Sequence, residues 1–184
     1  MHALTRPFAL LLLALAAGFT SVARAAEVVV DFEQSVIGKP VPEWTDQGVV
    51  FKLAGAPTQS KAQGRITFFP HLATGHHGIL NAMATEQAIP VQAIFPNPVS
   101  SVTLVLWGSA GCPALLEALD PDGKVVAQAS VPAVPARQAP GDPMPFFELT
   151  VQAPAIASIR FSGARNGEFL AADELRFTPV ATGR

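Results

Sequence analysis

The chain has 184 residues, a formal charge of −2, a 49% hydrophobic composition, a single Cys and no Tyr. Val, Ile, Leu and Phe recur along its whole length, which argues against disorder, and the acidic balance without a basic cluster argues against nucleic acid or anionic lipid as partners. One cysteine, Cys112, rules out an intramolecular disulfide.

Residues 1–25 read as an export signal. Arg6 supplies the positive start, 8–19 is an uncharged apolar run, and Ala23-Arg24-Ala25 places small residues where a signal peptidase reads. The run falls well short of the roughly 20 residues a membrane-spanning helix needs. The mature chain is therefore expected from about Ala26, as one domain over 26–184, secreted or periplasmic and without a membrane span. In an oxidising compartment Cys112 is either a small buried hydrophobe or available to pair with another chain.

After the leader the apolar period is two. Val28, Val30 and Phe32 alternate with Val29, Asp31 and Glu33, and the same alternation runs through 102–107 and 158–162. Shorter runs at 48–53, 65–69, 91–95, 115–120, 124–131, 146–151 and 168–177 bring the count to about ten strands. Pro121-Asp122-Gly123 predicts a hairpin turn, since Pro presets φ and Gly accepts a positive one. The stretch 132–145 holds five prolines, whose missing N–H groups exclude it from a central strand, so it reads as a long surface connection. Ten short strands without a helical period predict an all-β, two-sheet antiparallel sandwich of jelly-roll type. An immunoglobulin-like sandwich is the alternative, lowered by the missing Cys, Trp, Cys signature.

Several phrases resemble secreted bacterial jelly-roll domains of the galactose-binding-like and carbohydrate-binding-module superfamily. They are Val30-Asp31-Phe32-Glu33 with Trp44 and Gly48-Val49-Val50-Phe51, then Ile94-Phe95-Pro96-Asn97-Pro98-Val99-Ser100-Ser101-Val102-Thr103-Leu104, Leu116-Glu117-Ala118-Leu119-Asp120-Pro121-Asp122-Gly123, Ile156-Ala157-Ser158-Ile159-Arg160-Phe161-Ser162-Gly163, and Asp173-Glu174-Leu175-Arg176-Phe177. Leu119 departs from a frequent aromatic, and the chain lacks the sorting tail many such proteins carry. The resemblance implies neighbouring first and last strands with a structural calcium between them, held by Asp31 or Glu33 and by Asp173. Carboxylate oxygens suit Ca²⁺. The plainer reading makes these acids solvent-facing strand residues. Against it, Asp173 shares parity with Leu175 and Phe177 and so leans toward the core, where a bare carboxylate is costly.

His71, His76 and His77 are all the histidines beyond the leader and share one loop. Imidazoles suit Zn²⁺ or Cu²⁺ and ligand contact, while the plainer reading is a flexible polar loop at the sandwich rim. Trp44 and Trp107 would stack on sugar rings if exposed, or close the core if not. The chain has no Gly-x-Ser-x-Gly elbow and no phosphate-binding glycine loop leading into a helix, and none of its carboxyl pairs stands out as a glycosidase's. The expected function is thus a non-catalytic exported domain binding glycan or cell-envelope material, with a scaffold contacting envelope or matrix protein as the alternative. A metal-dependent enzyme built on the three histidines ranks third.

Overall fold

The computed structural model describes residues 25–55, 65–81, 89–163 and 169–180; the export signal lies outside them up to residue 24. Ten strands and no helix make up the described residues. They are β1 (Val28–Val30), β2 (Glu43–Asp46), β3 (Val49–Leu53), β4 (Ile66–Pro70), β5 (His77–Asn81), β6 (Val91–Gly108), β7 (Ala114–Leu119), β8 (Val125–Val131), β9 (Phe147–Gly163) and β10 (Leu170–Pro179). Every pairing is antiparallel.

Two long strands hold the layers together. The runs expected as separate strands at 91–95 and 102–107 are one strand, β6, and 146–151 and 158–162 likewise merge into β9. The β6–β9 register breaks between Ile94 and Val99, across Pro96-Asn97-Pro98, whose side chains are exposed. Two prolines that cannot donate to a ladder make this the natural place for a bulge and bend. Before the bend β6 pairs with β3; after it, with β10. One layer therefore runs β4–β5–β10–β6–β9, with β1 also on β10, and the other runs β2–β3–β6–β9–β7–β8. This is the two-sheet antiparallel sandwich expected.

The hydrophobic core fills the space between layers, with Leu104, Leu106, Leu175 and Phe177 from the first and Phe51, Val91, Leu116, Ile159 and Phe161 from the second. The turn after β7 forms as predicted: Asp120 Oδ1 accepts from the N–H groups of Asp122 and Lys124, and Gly123 takes φ +80°. The proline-rich stretch after β8 is a strap without strand pairing, pinned by the reciprocal bonds of Val134 with Gly111 and Cys112. Cys112 is buried, as its plainer reading expects.

Two elements escaped the sequence reading. β2 is short and polar but for Trp44, and β5 begins within the 69–78 stretch expected to be a flexible loop. Residues 69–78 are instead the end of a hairpin. Phe69 pairs with Gly78 and Pro70 with His77, and the turn closes through His71 N–H to the His76 carbonyl at 2.8 Å.

Candidate functional site at the β4–β5 hairpin

The first and last strands lie side by side, Val30 opposite Leu175, which brings the acids of residues 31–33 and 173 to the end of the sheet where the hairpin sits. Beyond β1 the backbone turns sharply. Phe32 adopts φ +60°, a region costly for a bulky side chain, yet its ring is fully buried. The turn drives Phe32 into the core and leaves Asp31 and Glu33 exposed. Asp31 Oδ1 accepts from Glu33 N–H at 3.2 Å, while Glu33 Oε1 accepts from His77 N–H at 2.9 Å. Ser35 Oγ lies 3.0 Å from His77 Nδ1.

Asp173 differs from the sequence expectation. The β10–β6 register shifts between Ala172 and Glu174, so the core positions of β10 are Leu170, Ala172, Leu175 and Phe177. The extra residue is Asp173, and the bulge turns it off the core face toward His76, whose Nδ1 is 3.4 Å from Oδ2. Parity along the strand fails because a bulge resets it. Asp173 is nevertheless only 7% exposed and its Oδ1 has no partner among the described residues. Burial pushes its carboxyl above the ordinary 3.8; the hydrogen bond and charge of His76 and the more distant His71 pull it back in part, and Glu33 adds to the rise.

The three histidines have three different environments. His71 is 2% exposed, so it is no rim residue. Its Nε2–H donates to the Met144 carbonyl at 2.8 Å, while Nδ1 accepts from Thr74 Oγ1 and more weakly from Ala73 N–H. That network makes Nε2 the donor and Nδ1 the acceptor of the ring. The ring also lies against Trp107 and Phe146, with centroids at 5.1 and 4.3 Å. His76 is largely exposed and covers Asp173, and His77 faces Glu33 and Ser35. Among the described residues no three or more His, Cys, Asp and Glu side chains gather as a metal-holding set. The oxygen donors have the chemistry calcium requires and Asp173 Oδ1 is uncommitted, while one oxygen each of Asp31 and Glu33 already accepts a backbone N–H.

Neither tryptophan is an open platform. Trp44 is half-buried against Phe32, Phe51 and Phe68. Trp107 is 6% exposed and belongs to a second apolar cluster with Leu80 and Ala171, on the outer face of the first layer. Met144 and Phe146 of the strap, together with Phe169, pack over that cluster. Trp107 Nε1 is buried without a hydrogen-bond partner among the described residues.

The exposed aromatic here is Phe69, 46% exposed and paired with Gly78 on the outer face, with Leu72 at the turn largely in solvent. Sequence reasoning passed over Phe69. Its signal was the doublet Phe68-Phe69, since in a strand only one of two consecutive aromatics can face the core.

The chain is thus an all-β sandwich of jelly-roll class with a polar cluster of acids and imidazoles at one sheet end. Its fold is similar to the K1 cleaved adhesin domain of Lys-gingipain from Porphyromonas gingivalis W83, at TM-score 0.53 and 11% identity over 85% of this chain and 99% of that one. The K2 cleaved adhesin domain of Lys-gingipain aligns at TM-score 0.51 and 14% identity over 86% and 99%. A family 6 carbohydrate-binding module aligns over 84% and 94% at TM-score 0.42 and 8% identity. No family profile and no curated protein matches the sequence.

Proposed function

We propose that this chain is a non-catalytic, exported binding domain that engages glycan or cell-envelope material at the outer face of the β4–β5 hairpin. The observation that carries the reading is the exposed ring of Phe69 on the hairpin that also exposes His76, behind which lies the Asp173 carboxyl. A sugar residue has an apolar C–H face and a hydroxyl edge, and this combination of ring, imidazole and carboxylate answers both. Export rests on the leader of residues 1–25. A structural calcium at Asp31, Glu33 and Asp173 belongs to the reading through the family resemblance.

The test is a glycan array and polysaccharide pull-down with the mature chain, with and without calcium, repeated for Phe69→Ala. Binding by the wild type and a loss of about tenfold in the variant, equivalent to ~1.4 kcal/mol, is the expected result. Blank arrays under both conditions would remove the reading. The second reading, a scaffold for an envelope protein, is favoured by the exposed Val36, Ile37 and Leu72. Val36 and Ile37 precede Gly38, whose N–H donates to the Phe68 carbonyl, and Leu72 follows β4.

A further inference from the structure

The site has a sealed half, and what that half is for deepens the glycan reading and rests on it. Among the described residues Trp107 Nε1 is an orphan donor and Asp173 Oδ1 an orphan acceptor, each on a residue more than nine-tenths buried. Both flank the same strand contact. A Cβ added to Gly78 would come within 3.0 Å of Trp107 Nε1. Ile79, next in β5, pairs with Ala172, next to Asp173 in β10. Buried polar groups are ordinarily satisfied, so two complementary orphans beside one contact call for a missing partner.

The chemistry of the pair selects that partner. A hydroxyl accepts from the indole N–H and donates to the carboxylate through one atom. An ammonium offers nothing to the indole, and an anion would meet the buried carboxyl of Asp173 directly. The cover over the pair is weakly tied. The strap turn at Ala139–Asp142 hydrogen-bonds only to itself among the described residues, and the polar tie of its later part is Met144 carbonyl to His71 Nε2–H. His76, on the other side, is mostly in solvent.

We propose that Trp107 Nε1 and Asp173 Oδ1 form a hydroxyl-binding subsite for an uncharged ligand, with the Met144–Phe146 strap as its lid. The strap lifts from His71, one hydroxyl enters between donor and acceptor, and the apolar cluster closes over it again.

The experiment is calorimetric and fluorescence titration of the mature protein with neutral oligosaccharides (cello-, xylo- and manno-), with oligogalacturonate and with glycerol. The variants are Trp107→Phe, which keeps an aromatic six-membered ring and removes the N–H, Asp173→Ala, Asp173→Asn, and Gln128→Ala on β8 as a distant control. Circular dichroism establishes that each variant folds. The expected result is binding of a neutral oligosaccharide, weakened at least tenfold by Trp107→Phe and by Asp173→Ala, partly restored in Asp173→Asn, and unchanged in Gln128→Ala. Should Asp173→Ala fail to fold, Trp107→Phe decides alone. Neutral binding untouched by both substitutions, or a preference for oligogalacturonate, overturns the subsite while the glycan reading stands. Glycerol binding that is lost in the variants, with no oligosaccharide bound, keeps the subsite and overturns the glycan reading. No binding of any probe overturns both.

Discussion

Asp173 is the residue on which most of the site depends, and its position is a compromise between burial and charge. Desolvation raises its carboxyl above the ordinary 3.8, and the His76 contact at 3.4 Å is too long to cancel it. The folded chain therefore holds this proton at a pH where the unfolded chain has released it. The stability that Asp173 adds is fully present below the ordinary value and is lost as pH rises through the folded one. Asp173→Asn, which cannot ionise, should match the wild type in acid and become the more stable of the two as pH climbs from about 4 toward neutrality. Urea unfolding of both proteins across that range measures the difference, and parallel curves would contradict the assignment. Phe32 shows the same kind of compromise in its backbone. A left-handed φ costs about 1–2 kcal/mol, less than the roughly 3–5 kcal/mol at stake in a buried Phe, so burial wins and the neighbouring acids are thrown outward.

At the scale of elements, the β4–β5 hairpin is the positioning device. Its two strands put Phe69 outside and Phe68 inside, and its turn buries His71 while exposing His76. Gly78 is what lets the indole edge of Trp107 close on the hairpin, because an added Cβ would meet Nε1 and Cζ2 at 3.0 and 3.1 Å and Ala171 at 3.2 Å. Gly78→Ala should accordingly destabilise the fold by about 1–2 kcal/mol and shift Trp107 emission toward longer wavelength as the ring is displaced. A Trp44→Phe background isolates that signal, since these are the two tryptophans of the chain. An unchanged denaturation midpoint and spectrum would show that the indole has room to spare. The bend of β6 at Pro96-Asn97-Pro98 and of β9 around Pro154 does for the layers what Gly78 does for the hairpin. Prolines there interrupt the ladders without ending the strands, so one strand serves two sheets.

The whole molecule joins its ends. β1 and β10 pair through Val28–Phe177, Val29–Arg176 and Val30–Leu175, so a ligand bridging Glu33 and Asp173 would clamp the two ends of the sandwich together. Calcium bound only by the folded state must raise stability by mass action, by about 2.7 kcal/mol at a hundredfold excess over Kd. For a domain of this size that corresponds to a Tm roughly 5–10 °C higher in millimolar Ca²⁺ than in EGTA. Equal melting temperatures would take calcium out of the proposed function, leaving the outer-face site to Phe69, His76 and the sealed pair.

The sequence by itself determined the class of fold, because alternation of apolar residues and the placing of proline and glycine are local properties. Period two marks the strands, Pro121-Asp122-Gly123 marks the β7–β8 turn, and the prolines of 132–145 mark the strap. The acids and histidines were also visible as residue types, but as two unrelated groups. Only the tertiary structure decided that they meet, since the contact of His76 with Asp173 spans 97 positions and depends on the strand order β5–β10–β6. It also decided which way each side chain faces. A single bulge at Asp173 reverses the parity that the sequence implies, and a strap from elsewhere in the chain covers Trp107, which its own strand would leave on an open face. Bulges and covering segments are set by packing between distant elements, so a local pattern carries no trace of them.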